Sequence, residues 1–243
     1  MLVFYFPKHL FLIFFKTQLI NIMRLIFTFL CLLFVGAAVA QSKRSFDFNV
    51  FKHDSKFKSC TKQMILPATL VTIGVYGYNH GSGANAFNSP AKYIFKETLE
   101  GEHIHIDDCL QYAPSIAYLS IGGKEKFGKR FLTCTAASVL AWGVIMPIKT
   151  KAGEIRPDLK SDNSFPSGHT ATAFMGAELL RLSGHSKKIT IPAYITAVTV
   201  GCMRIHNNRH WFNDVIAGAG FGILSARFAY MIVPKEKHRI NFY

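Results

Sequence analysis

FLTCTAASVLAWGVIMPI, residues 131–148, runs without a charged side chain, and its reading decides the fold. It does not alternate polar and apolar side chains as a half-buried strand would, and it is longer than a strand, so it reads as a helix. Five further apolar segments share this texture, at 64–78, 110–122, 168–183, 189–204 and 212–233. The fold class that follows is all-α, a bundle of six helices. No repeat of 20–50 residues and no low-complexity tract interrupts it.

Segments 131–148 and 212–233 reach, or nearly reach, the roughly 20 residues that a membrane span requires. The first two segments are short and broken by Pro67 and Pro114, which points to partial insertion or docking onto the bundle. Glu178 and Arg181 place the far end of 168–183 at an interface. The helices therefore read as membrane-embedded. The chain has 243 residues, enough for one domain with a sizeable core. Half of it is hydrophobic and its formal net charge is +14. Such a charge raises the question of nucleic acid, but the cations sit in short clusters between apolar stretches: Lys124, Lys126, Lys129 and Arg130; Lys187 and Lys188; Lys235, Lys237, His238 and Arg239. A nucleic-acid binder shows a basic stripe and a reader module, and neither is present. Cytoplasmic loops of a membrane protein fit better. Putting loops 123–130 and 184–188 and the tail from 234 in the cytoplasm leaves loops 149–167 and 205–211 facing the periplasm. If the leader is cleaved, only one of the first two segments can span.

Met23-Arg24, the apolar run Leu25 to Val35 and Ala38-Val39-Ala40 before Gln41 have the layout of a secretory signal peptide, with Met23 as the start it implies. An uncleaved anchor helix would use the same run. The domain reading is a leader and signal over 1–40, a basic polar segment over 41–63, the helical domain over 64–233 and a basic tail over 234–243. Apart from Cys31 in the leader, Cys60, Cys109, Cys134 and Cys202 form no CxxC pair and imply no zinc site. Cys134 and Cys202 read as core residues, while Cys60 and Cys109 could pair outside the cytoplasm.

Three stretches concentrate reactive side chains, and the topology above brings them to one end of the bundle. Lys149 to Pro157 follows an apolar helix, Ser164-Phe-Pro166-Ser167-Gly168-His169 precedes one, and Arg204-Ile-His-Asn-Asn-Arg-His210-Trp-Phe-Asn-Asp214 joins two more. Lys149, Arg156 and Arg204 supply permanent positive charge, and arginines grip phosphoryl oxygens bidentately. Ser167 and Gly168 stand at a helix start, where backbone N–H groups and the helix dipole favour an anion. Glycine there lets the backbone approach closely. His210 and Asp214, four apart at a helix start, share a face. The carboxylate can fix one imidazole tautomer and leave the other nitrogen free to attack phosphorus. His169 is then available to protonate the leaving oxygen, so nucleophile and general acid are both histidines and no metal or cofactor is needed.

These residues resemble the PAP2 (type-2 phosphatidic acid phosphatase) superfamily, whose signature is K-x6-RP, PSGH and SR-x5-H-x3-D. The first motif is matched from Lys149 to Pro157, the second from Pro166 to His169 and the third from Arg204 to Asp214, with Met203 in place of the leading serine. The resemblance implies a six-helix bundle of the PAP2/haloperoxidase kind. It implies phosphate binding by Lys149, Arg156, Ser167, Gly168 and Arg204, with His210 the nucleophile, Asp214 its partner and His169 the general acid. The expected activity is hydrolysis of a lipid phosphate or diphosphate: lipid A, undecaprenyl diphosphate or phosphatidylglycerol phosphate. The expected place is a bacterial inner membrane with the site facing the periplasm. A soluble exported acid phosphatase and a non-catalytic membrane protein of the same fold are the alternatives, and the chain is short for a haloperoxidase. Oligomeric state is not legible.

Outside the motifs, His103, His105, Asp107 and Asp108 carry ligand-type side chains with no completing set, and read as a polar loop. His206 and Arg209 flank the third motif, either touching substrate or merely lying at the surface. Gly218-Ala-Gly220-Phe-Gly222 lacks the spacing and the preceding strand of a dinucleotide fingerprint, and reads as close helix packing.

Overall fold

A computed structural model of the chain describes residues 54–80, 105–121 and 125–233. The leader, Met23, Cys31, His103, Lys124 and the basic tail lie outside the described residues, and so do the side chains of residues 54–62, Cys60 among them. Every element among the described residues is helical: α1 (Asp54–Asn79), α2 (Asp107–Leu110), α3 (Ala113–Ser120), α4 (Phe127–Ala152), α5 (Gly168–Leu182), α6 (Lys187–His206) and α7 (Phe212–Ile232).

The all-α reading holds, with two differences of detail. The first helix begins at Asp54 rather than near residue 64, because no proline or glycine interrupts the polar stretch before Pro67. The segment expected over 110–122 is two short helices broken at Gln111 and Tyr112, and α3 restarts with Pro114 in its first turn, where a missing N–H costs nothing. At eight residues α3 is too short to span a membrane. It docks instead against α5 and α6.

Helix α7 is the centre of the bundle, packing on α1, α4 and α5, while α5 also packs on α3 and α6. Glycines set the closeness. A Cβ at Gly218 would lie 2.4 Å from the Ser167 carbonyl oxygen, and one at Gly222 would lie 2.2 Å from that of Ala171. One turn apart, they let α7 rest directly on the start of α5. Gly220, on another face, admits Pro67 and Val71 of α1. The small-residue reading of 218–222 is thus borne out in geometry, and its effect is to fix the second motif against the third.

Glu178 was expected to reach an interface. It is fully buried, and only Arg181 reaches solvent. The Glu178 carboxylate takes Arg181 at 2.6 and 2.8 Å, Arg227 Nε at 2.5 Å and the Tyr194 hydroxyl, which ties α5, α6 and α7 together at the end away from the motifs. Removing one partner of such a cluster leaves buried charge uncompensated, which costs about 3–5 kcal/mol. Glu178→Ala should therefore lower the melting temperature of the detergent-solubilised protein sharply, whereas Arg181→Ala, on the exposed side, should lower it less. Equal melting of Glu178→Ala and wild type would remove the clamp from this account.

Candidate active site

Four helix ends build the site. Helix α4 ends at Gly153, whose φ of +59° is the left-handed conformation a helix C-terminus commonly adopts and glycine tolerates best. In its last turn Lys149 donates Nζ to the backbone oxygens of Asn163, at 2.7 Å, and Ser164, at 3.2 Å, closing the loop between the first two motifs. The Ser164 amide bonds back to the Glu154 oxygen at 2.9 Å, and Arg156 N donates to Ser161 O at 2.9 Å. The Trp211 indole N–H reaches the Ile155 oxygen at 2.8 Å. The loop that carries Arg156 is therefore held from both sides.

The second motif is buried from Ser164 through Gly168. Ser167 caps α5, accepting from the Thr170 amide, and its own N–H donates to the Asp214 backbone oxygen at 3.0 Å. Gly168 opens the helix. The α5 N-terminus, with N–H groups that have no carbonyl of their own helix to meet, thus faces the start of α7.

At the third motif Asp214 closes the first turn of α7. Its Oδ2 accepts from Trp211 N at 2.8 Å and from Ser164 Oγ at 2.5 Å, and lies 3.4 Å from His210 Nδ1. His210 is 2 % exposed. Burial, and then the surrounding Lys149, Arg204 and Arg156 cations, hold its imidazole well below the usual histidine range. With Nδ1 turned to Asp214, a neutral ring presents Nε2 as the free nitrogen. Arg204 is buried and Arg156 is half-buried, each with an Nε that meets no acceptor among the described residues.

The structure brings together Lys149, Arg156, Ser167, Gly168, His169, Arg204, His210 and Asp214, all eight residues expected from the motifs. It also adds residues that sequence reasoning missed. Asp107 and Asp108, expected to be polar loop, lie at α2 and reach into the site. Asp107 is buried against Arg204 Nη1 at 2.6 Å, and Asp108 accepts or shares a proton with His169 Nε2 at 2.8 Å, 3.6 Å from Arg204. Hydrogen bonding to His169 draws the Asp108 carboxyl below its usual value. Ser164 and Glu154 add a hydroxyl and a second carboxyl beside Asp214. Of the flanking pair, Arg209 binds Asp158 at 3.1 Å, while the buried Nδ1 of His206 meets no partner among the described residues. Cys109 is exposed and Cys134 and Cys202 are half-buried, while the Cys60–Cys109 pairing involves a side chain, that of Cys60, outside the described residues. Among the described residues no group of three or more His, Cys, Asp or Glu side chains could hold a metal ion.

Beside the site a cleft of ≈ 530 Å³ opens between the end of α1 and the α4–α5 loop, lined among others by Tyr78, Asn79, Glu154, Arg156, Leu159 and Trp211. Tyr78 anchors that end of α1, donating its hydroxyl to Ala152 O at 2.9 Å and stacking on Phe165 at 4.9 Å.

The chain is similar to several known proteins. The lipid A 1-phosphatase of Porphyromonas gingivalis is 38% identical over 138 residues, which is 54% of this chain and 31% of that protein. Phosphatidylglycerophosphatase B of Bacillus subtilis is 36% identical over 84 residues, 29% of this chain and 41% of that protein. The chain thus spans well under half the length of these curated relatives. The crystal structure of Aquifex aeolicus LpxE is similar at a TM-score of 0.46 with 25% identity, over 57% of this chain and 93% of that one. The PAP2 superfamily matches residues 127–238, from the start of α4 past the end of α7. That stretch, over which the chain is similar to the PAP2 superfamily, holds all three motifs.

Proposed function

We propose that this protein is a membrane phosphatase that removes phosphate from a lipid phosphate or diphosphate through a phosphohistidine on His210. One observation carries the reading: a buried histidine, its Nδ1 3.4 Å from a carboxylate, stands among three cations and a helix N-terminus. Such a place suits a phosphoryl group, whose equatorial oxygens the cations would clamp while Nε2 approaches in line.

The chemistry is a double displacement. His210 Nε2 forms a bond to phosphorus as the bond to the leaving oxygen breaks, and His169 gives that oxygen its proton. Water then attacks the phosphohistidine, yielding its proton to His169, and the P–N bond breaks to release inorganic phosphate and restore both rings. Asp214 stabilises the imidazolium that exists between the two steps. The positive charge comes from Lys149, Arg156 and Arg204, so the scheme asks nothing of a metal ion.

A lipid substrate is supported by the helices around the site. Helices α4 and α7 are long and apolar enough to cross a membrane. Outward-facing side chains such as Trp142, Val144 and Met146 on α4, Ile191, Ile195 and Val198 on α6, and Phe228 and Met231 on α7 leave a broad apolar exterior. On a soluble protein that much exposed apolar surface would drive association. With the basic 123–130 and 184–188 loops in the cytoplasm, the site would face the periplasm. The names of the relatives point to lipid A and phosphatidylglycerol phosphate as candidates, with undecaprenyl diphosphate beside them.

The test is phosphate release by the solubilised full chain over a panel of lipid A, undecaprenyl diphosphate, phosphatidylglycerol phosphate, phosphatidic acid and an aryl phosphate, with and without EDTA. Release from one or more of the lipids, unchanged by EDTA, is the expected result. Loss of turnover on chelation would end the metal-free scheme, and folded protein with no turnover on any substrate would favour a non-catalytic role.

A further inference from the structure

Glu154 sits in the variable stretch of the first motif, and nothing in the motif asks for an acid there. It is 3 % exposed, and neither carboxyl oxygen meets a donor among the described residues. Opposite it, Asp214 is fully buried and its Oδ1 is in the same condition, while Oδ2 already takes Ser164 and Trp211. Two buried carboxyls within hydrogen-bond reach of each other, with the Asn213 side chain also against Glu154, are reconciled by a single proton between them.

We propose that Glu154 is a positioning residue for the His210–Asp214 pair: a proton shared between the two carboxyls fixes Asp214 against the imidazole. The groups facing it divide by element. Asp214 and the Asn213 amide come from α7, and Lys149 from the end of α4. Burial first, and then the Asp214 charge, push the Glu154 carboxyl well above its ordinary range, against the smaller opposing pull of Lys149. Neutrality there also serves the anion site. A second full negative charge beside Asp214 would cancel cations that the phosphoryl group needs, in a setting where screening is weak.

Glu154→Gln and Glu154→Ala test this with two readouts, of which only the activity arm rests on the phosphatase reading above. A carboxyl whose value is raised on folding holds a proton that the unfolded chain has lost above about pH 4.3. Its contribution to stability therefore falls as pH rises from there to the raised value. Glutamine never ionises, so Glu154→Gln should melt progressively higher relative to wild type as pH is raised across that window. In the activity arm Glu154→Ala should lose on the order of 10²-fold in kcat, the scale of a misplaced reacting group. Its KM should change little. The Gln variant, which keeps a donor, should lose less, and its activity should persist at alkaline pH where wild type declines. A melting difference that does not vary with pH, or a Gln variant as impaired as Ala with the wild-type alkaline limb, would overturn the proposal. A pH-dependent melting difference in a wild type that releases no phosphate would remove the phosphatase reading and support the Glu154–Asp214 pairing.

Discussion

Replacing His210 by alanine is expected to abolish phosphate release, a loss on the order of 10⁶-fold if the histidine is the nucleophile. The size follows from what the structure leaves behind. Without the imidazole, the three cations and the α5 N-terminus can still bind a phosphoryl group, but the remaining imidazole, His169, has its Nε2 engaged by Asp108 at 2.8 Å. Asp214 is spoken for by Ser164 Oγ and Trp211 N. Ser167 is committed to Thr170. Binding should therefore outlast turnover: the variant should still take up inorganic phosphate or vanadate while forming no covalent adduct. Denaturing wild type during turnover of a phosphorus-labelled substrate should trap label that is stable to base and lost in acid. The variant should trap none. Label persisting in His210→Ala would place the nucleophile elsewhere and dismantle the scheme.

The distinction between binding and attack also explains what could be read from the sequence. His210 and Asp214 are four residues apart, and the helical repeat alone puts them on one face. Each motif is similarly local, a cap, a turn or one helical revolution, so its internal geometry is written in its spacing. The helices were legible for the same reason, since long apolar stretches without alternation have little else to become. What escaped were partners chosen by tertiary packing. Asp107 meets Arg204 across 97 residues, Asp108 meets His169 across 61, and Ser164 meets Asp214 across 50. No periodicity encodes such separations, and an Asp-Asp pair in a polar stretch reads as solvated surface. Glu154 was hidden differently, lying inside a motif at a position the motif does not specify. Glu178 misled because a charge in an apolar helix reads as a helix end, and its counter-charge Arg227 lies 49 residues away on α7. The close packing at Gly218 and Gly222 could be anticipated as a tendency, but only the fold reveals that its partner is the backbone of the second motif.

His169→Ala should separate two kinds of substrate that His210→Ala treats alike. A lipid alkoxide is a poor leaving group and must be protonated as it departs, so losing the general acid should slow its release by roughly 10²- to 10⁴-fold. An aryl phosphate with a stabilised phenolate needs little help, and with it the variant should still form the phosphohistidine, slowly but measurably. The second step then lacks its base, so label should accumulate on His210 rather than disappear. Asp108 bears on the same residue from outside. Its carboxylate is 57% exposed at the side chain and stands 2.8 Å from Nε2 of His169, so it can hold the ring in place and oppose the burial that lowers the imidazole below its ordinary value. Asp108→Asn should accordingly show a weaker version of the His169 pattern, a loss on lipid phosphate with little on the aryl ester. If His169→Ala impairs both substrates equally and traps no label, His169 acts in binding rather than in proton transfer. The division of labour between the two histidines rests on that difference, because their shared placement in one anion site would by itself fit either role.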